Sequence, residues 1–280
     1  MREISVSKIA EVIEKLCIDA NYNLNDDIMI ALIDSLKKEE SEAGRSILSE
    51  LVENAKVAKK SEIPMCQDTG MAVVFVDIGQ EVHVTGGSLS QAINEGVRRG
   101  YGKGYLRKSV VEDPILRTNT GDNTPAVIHY NIIEGNYIRI NVVPKGFGSE
   151  NMSSLRMLKP SDGIDGIKEF VIDTVSKAGS NACPPLIIGV GIGGTMEKAT
   201  YLSKKALLRP VNERSSFEHL KDLETELLEK INLLGIGPAG LGGMVTALAV
   251  NIETFPTHIA GLPVAVNISC HATRHKEAII

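Results

Sequence analysis

The 280-residue chain has no tryptophan, and its aromatic share is only 4%. Stacking platforms for bases or sugars therefore have little to be built from. No run of Lys and Arg with interleaved aromatics occurs, and the formal net charge is −5, which argues against a general nucleic-acid binder. No uninterrupted apolar stretch is long enough to span a bilayer, and Met1 opens onto a charged helical pattern with no secretory h-region. A soluble, cytoplasmic protein is the expectation. Cysteine is scarce as well: there are four, with no CxxC pair, so neither a disulfide framework nor the paired-ligand pattern of structural zinc sites is visible.

What is present is the setting of three of those cysteines. Cys66 lies in Pro64-Met65-Cys66-Gln67-Asp68-Thr69-Gly70, Cys183 in Asn181-Ala182-Cys183-Pro184-Pro185, and Cys270 in Asn267-Ile268-Ser269-Cys270-His271-Ala272. Each stands alone in a turned segment far from the others, so only the fold could bring them together. Three converging thiolates suit an iron–sulfur cluster with one iron open, or a zinc ion with a fourth ligand from elsewhere. Cys17 differs: it follows Ile9, Val12, Ile13 and Leu16 on one helical face and reads as core packing.

Residues 1–60 read as helices, with Ile47, Leu48, Leu51, Val52 and Ala55 at helical spacing. Pro64 closes this region. Ala72–Ile78 predicts a strand and Ser88–Tyr101 a helix. Residues 126–143 alternate around Glu134-Gly135-Asn136 and predict a hairpin. Helices follow over 162–178, 195–208 and 218–234, with strands over 186–190 and 262–268, the second of these the last of the chain. The expectation is one mixed α/β (α+β) domain over 1–280, short sheets surrounded by helices, with a helical N-terminal region over 1–60. Cys270 lies close to the C terminus, where chains fray, so a ligand there needs its tail pinned by a metal site or a partner subunit.

Two glycine runs match the dinucleotide-binding spacing. Gly189-x-Gly191-x-x-Gly194 follows a strand and precedes a helix, with Glu213 near the expected distance; Gly235-x-Gly237-x-x-Gly240 follows a helix, the wrong context. Because a hairpin and not an alternating βαβ series precedes the first run, its glycines are read as letting backbone approach a cluster or a small anion near the helix start at Thr195. Asn119-Thr120-Gly121-Asp122-Asn123-Thr124-Pro125 is a dense run of turn formers. Residues 144–153 combine Lys145, Ser149, Asn151 and Ser153 with flexible glycines, a composition suited to a carboxylate- or phosphate-binding loop. Of six histidines, His258 and His271 stand in the most suggestive settings.

Five motifs in order (PMCQDTG at 64–70, NTGDNTP at 119–125, PKGFGSEN at 144–151, NACPP at 181–185 and HIAGLPVAVNISCH at 258–271) closely resemble the alpha subunit of two-subunit class I fumarate hydratases and L(+)-tartrate dehydratases, the iron–sulfur hydro-lyases. The resemblance runs from near Ser5 to the C terminus. It implies a mixed α/β domain carrying a [4Fe–4S] cluster on Cys66, Cys183 and Cys270, with one iron left to act as a Lewis acid on substrate oxygens. It also implies substrate contacts from Gln67 and Asp68, with Asp68 in the acid–base chain, and an active-site role for His258. Arg107 resembles the carboxylate-clamping arginine, and Gly146, Ser149 and Asn151 match the substrate loop. Single-chain members continue past the equivalent of Cys270 into a second region. This chain is therefore expected to need a separate beta subunit, in a heterotetramer of two alpha and two beta chains.

The implied reaction is the reversible hydration of fumarate to malate, with L(+)-tartrate dehydration as the alternative. Outside this chemistry stand a zinc scaffold using Cys66, Cys183, Cys270 and His271, and a nucleotide-dependent enzyme built on Gly189–Gly194.

Overall fold

The computed structural model describes residues 1–280. In chain order its elements are β1 (Arg2–Ser5), α1 (Val6–Tyr22), α2 (Asp26–Lys38), α3 (Glu42–Ser61), β2 (Met71–Gly79), β3 (Val82–Thr85), α4 (Leu89–Lys103), β4 (Val127–Ile133) and β5 (Ile138–Lys145). Then follow α5 (Phe147–Glu150), β6 (Ser154–Leu158), α6 (Gly163–Ala178), β7 (Leu186–Gly193), α7 (Met196–Ala206), α8 (Glu218–Asn232), β8 (Ala247–Phe255), β9 (Leu262–Ser269) and β10 (Lys276–Ile279). The mixed α/β class expected from the sequence is the one observed. The chain divides into two units, one of Met1–Asn25, Ala55–Phe147 and Arg274–Ile280, the other of Asp26–Asn54 and Gly148–Thr273. No helix is long and apolar enough to cross a membrane.

In the first unit, Ser5 caps α1 by accepting the Lys8 N–H, and Ser88 caps α4 by accepting that of Gln91. The apolar faces of both helices, Ile9, Ile13, Leu16 and Cys17 on α1 with Ile93, Val97 and Tyr101 on α4, join Val74, Val76, Ile138, Ile140 and Val142 in one core. Cys17 is fully buried, as its helical spacing predicts.

The sheet here has the order β10-β5-β2-β4. The expected hairpin is absent: β4 and β5 do not pair, because β2 lies between them, parallel to β4 (Val73↔Val127) and antiparallel to β5 (Val73↔Val143). The physical reason lies in Val73, Val74, Phe75 and Val76, which are all buried. A strand apolar on both faces takes the centre of a sheet, with a partner on each edge. The Glu134–Asn136 turn spans that central strand's end, and the Gly79, Gln80 and Glu81 N–H groups donate to the Tyr137, Ile133 and Gly135 carbonyls.

Five strands, β1, β3, β6, β8 and β10, lie outside those the sequence predicts, and the two at the chain ends change an expectation. Arg2–Ser5 is extended and pairs in parallel with β3. At the other end, β9 is not the last strand, since β10 lies antiparallel on β5 with reciprocal Ile138–Ile280 backbone hydrogen bonds. The C-terminal tail is thus pinned by the chain itself.

The second unit is built on a sheet of order β6-β9-β7-β8, with β7 parallel to β8 and antiparallel to β9. Leu186, Ile188, Val190 and Ile192 point to one face and pack with Ile167, Phe170 and Val175 of α6 and Leu223, Leu227 and Ile231 of α8. The alternate residues, Gly189 and Gly191, face α7. A Cβ at Gly191 would lie 2.0 Å from the Ala199 carbonyl oxygen, and one at Gly189 equally close to that of Ser203.

These glycines therefore let a helix lie directly on the sheet, and the expected approach of a cluster or anion is not their role. The N-terminus of α7 carries its own anion: the Thr195 hydroxyl donates to Glu197 at 2.6 Å. That bond, with the Glu197 N–H, holds this carboxyl below its ordinary range.

Candidate active site

The first unit carries Cys66, Gln67, Asp68, Arg107 and Gly146. Asp68 Oδ1 accepts the Gly70 N–H at 3.0 Å, an Asx-type turn that folds the loop back on itself, and Oδ2 accepts the Phe147 N–H at 2.8 Å. Gly146 lies against the same oxygen; a Cβ there would stand 3.0 Å from Oδ2. The first and third motifs therefore meet at one carboxylate. The Arg274 guanidinium donates to the Asp68 carbonyl oxygen and is itself buried. Gln67 and Arg107 have exposed side chains, and Cys66 is half-buried.

The loop that carries Cys66 is held from behind by residues the sequence reading gave no such role. The Tyr101 hydroxyl, fully buried, lies 2.8 Å from the Thr69 carbonyl oxygen and 3.0 Å from that of Gly70, and donates to this pair. Burial pushes its phenol well above the ordinary range, so it stays a donor. The Asn123 carboxamide, also fully buried, donates from Nδ2 to the Gly70 carbonyl (3.2 Å) and accepts the Ser109 N–H at Oδ1 (2.7 Å). The Thr69 hydroxyl donates to the Arg107 carbonyl at 3.1 Å. Turn composition around residue 123 is legible in the sequence, whereas the fact that this Asn turns inward is not.

The second unit carries Ser149, Asn151, Cys183, His258, Cys270 and His271. Cys183 adopts a left-handed backbone (φ 55°, ψ 67°), rare for a residue with a Cβ and sustained only where neighbours enforce it. Those neighbours are visible. The Cys183 N–H donates to Ser180, its carbonyl accepts from His271 (Nδ1 at 3.1 Å, backbone N at 3.5 Å), and the Pro184 carbonyl accepts the Ala239 N–H at 2.9 Å. His271 is thus a strut that joins the Cys183 turn to the Cys270 turn. Thr273 closes the latter by donating both N–H and Oγ1 to the Cys270 carbonyl.

The second glycine run, Gly235–Gly243, serves as the buttress of the Cys183 turn. It is anchored in turn by the buried Glu39, which accepts the N–H groups of Met244 and Val245.

Ser149 is buried and Asn151 exposed. Between them Glu150 accepts from Lys204 and from Asn267 Nδ2 (3.0 Å), tying the substrate-loop segment to α7 and β9. His258 sits on the exposed loop after β8 and lines a cavity of about 510 Å³ with Ile164, Ile192, His219, Leu223 and Leu262. The Ala260 N–H donates to His258 Nδ1 at 3.2 Å, which leaves Nε2 to carry the proton of the neutral ring.

The thiols fit an iron–sulfur cluster by donor chemistry and setting. Cys66, Cys183 and Cys270 lie in turns outside the cores and no disulfide is present, while Cys17 is sealed in the core with its thiol pushed up to about 12 by burial. No group of three or more His, Cys, Asp and Glu side chains is arranged to hold a single metal ion.

Comparison with known proteins agrees with the motifs. The chain is 45% identical over 273 residues to a Methanocaldococcus jannaschii protein provisionally named L(+)-tartrate dehydratase subunit alpha, covering 95% of each. It is 32% identical over 282 residues to the L(+)-tartrate dehydratase subunit alpha of Escherichia coli (strain K12), covering 100% of this chain and 93% of the relative. The family described as fumarate hydratase (Fumerase) matches residues 10–279, so this chain belongs to the fumarate hydratase family of hydro-lyases.

Proposed function

We propose that this chain is the cluster-bearing alpha subunit of a hydro-lyase that adds water to, or removes it from, a small dicarboxylate. In this reading it acts with a beta subunit in the cytoplasm, as a heterotetramer of two alpha and two beta chains. The observation that carries the reading is the Asp68 carboxylate, set by the Gly70 and Phe147 N–H groups on the same loop as Cys66. The family description names fumarate, and the names of the relatives put L(+)-tartrate ahead of it.

Cys66, Cys183 and Cys270 would hold a [4Fe–4S] cluster, whose open iron supplies Lewis-acid polarisation of a substrate oxygen. The chain's own residues do the rest. Arg107, exposed and anchored through its carbonyl to Thr69, offers a planar fork for a substrate carboxylate. Each Asp68 oxygen accepts one backbone N–H and keeps a lone pair, so a proton can be held at Oδ1 or Oδ2 without breaking the loop. His258 presents Nε2–H as a donor or proton relay. Gly146, Ser149 and Asn151 supply N–H and side-chain donors to the carboxylate on which charge builds as the C–H proton leaves.

The test is iron and acid-labile sulfide per chain after anaerobic reconstitution, in the wild type and in Cys66→Ser, Cys183→Ser, Cys270→Ser and Cys17→Ser. About four of each element is expected, lost in the first three variants and kept in the fourth. Assays of tartrate dehydration and fumarate hydration with the beta subunit then follow. Zinc without sulfide, or turnover of neither substrate by the loaded complex, would overturn the proposal.

A further inference from the structure

Three buried side chains hold the stretch just after Asp68, and none of them touches substrate in the chemistry above. Gly70 has φ +75°, and a Cβ there would lie 2.7 Å from the Lys145 nitrogen and the Pro144 carbonyl carbon, so the backbone is seated with no slack. Its carbonyl accepts from both Tyr101 and Asn123. The same Asn123 side chain binds the Ser109 N–H, two residues beyond Arg107, and the Thr69 hydroxyl binds the Arg107 carbonyl. Thr69 is 2% exposed, and Tyr101 and Asn123 are fully buried. None of the three is open to solvent.

We infer that Thr69, Tyr101 and Asn123 are positioning residues that lock the Asp68 loop and the Arg107 segment at one spacing. The proton-holding carboxylate and the substrate-clamping guanidinium then meet a dicarboxylate of fixed length together. This inference rests on the roles given to Asp68 and Arg107 in the proposed function. The physical basis is that a reacting group must sit within a fraction of an ångström of its place. Main-chain anchors supplied by buried, fully used side chains hold that place more tightly than an exposed loop could. The two anchors serve different ends. Tyr101 fixes the backbone that carries Asp68, whereas the Thr69 hydroxyl fixes the backbone that carries Arg107.

The experiment uses the full chain with its beta subunit, assayed with L(+)-tartrate and fumarate. Tyr101→Phe deletes one hydroxyl and should lower kcat about 10- to 100-fold with KM little changed. Thr69→Val should instead raise KM about 10-fold with kcat largely kept, and Thr69→Ser, which restores the hydroxyl, should recover it. Tyr130→Phe, at an exposed hydroxyl paired with Ser90, is the control and should change neither. Asn123→Ala removes both ties and endangers folding, so the hydroxyl deletions decide the matter.

In the metal-free full chain, the alkylation rate of Cys66 should rise several-fold in Tyr101→Phe while that of Cys183 stays constant. If the wild-type complex turns over neither substrate, the functional reading fails by itself and the alkylation ratio still decides whether the loop is locked. Unchanged kinetics with an unchanged Cys66 rate would overturn the inference. So would losses that merely follow a lowered Tm and return on cooling.

Discussion

The Phe147 N–H donates to Asp68 Oδ2 at 2.8 Å, and Gly146 rests against the same oxygen. A side chain at position 146 would have to push that carboxylate away. Asp68→Asn is expected to lower kcat about 10²- to 10⁴-fold, the usual range for loss of a general acid or base. Gly146→Ala should give a smaller loss through displacement alone. Steady-state kinetics with melting curves check this; near-wild-type turnover in Asp68→Asn would remove it from the proton path.

The four cysteines should separate cleanly by reactivity. Burial pushes the Cys17 thiol up to about 12, so at pH 8 it is neither ionised nor accessible, whereas Cys183 is exposed. Iodoacetamide footprinted by mass spectrometry should label Cys183 first and leave Cys17 unmodified until the chain unfolds. Cys17→Ser should keep the iron content and cost about 1–3 kcal/mol of stability, because it places a hydroxyl in the core.

Glu39 should make the second unit acid-sensitive. Burial raises its pKa, but the N–H groups of Ser41, Met244, Val245 and Glu40 outweigh that and leave it below its ordinary value of 4.5. With the folded pKa depressed, the stabilisation is fully present above that ordinary value. It is lost as pH falls through the folded pKa. Urea midpoints measured between pH 7 and pH 3 should fall less steeply in Glu39→Gln than in wild type. At pH 7 the variant should lose about 2 kcal/mol, the worth of hydrogen bonds to a charged acceptor. Equal slopes would remove Glu39 from the acid transition.

The glycines of β7 predict a packing phenotype. Gly191→Ala would set a methyl group 2.0 Å from the Ala199 carbonyl and should destabilise by about 3 kcal/mol or more. Adding NADH to the wild type should leave its Tm unchanged, since these glycines face α7. A ligand-dependent rise in Tm would revive the nucleotide reading.

The same glycines show where a sequence misleads. Gly189, Gly191 and Gly194 match a phosphate-binding spacing because a strand, a turn and a closely packed helix need small residues for either purpose. The pattern reports close approach without saying what approaches. The hairpin expectation erred in a related way: residues 126–143 do form two strands, but alternation carries no information about which strand lies beside which. The C-terminal strand was hidden because Lys276–Ile279 is short and lies at a sheet edge, where only its pairing with β5 makes it a strand.

The sequence by itself determined what depends on neighbours a few residues away. The helical spacing of α1 and α3, the helices over 88–101 and 218–234, the core placement of Cys17 and the five ordered motifs of the family were all readable there. Tertiary structure alone decided what depends on distant partners: β2 between β4 and β5, α7 on bare glycine backbone, and the Asn123 and Tyr101 side chains turned onto the Gly70 carbonyl. Hydrogen bonds and packing across such distances leave no period in the chain, because each is met by one group whose position only the folded backbone sets.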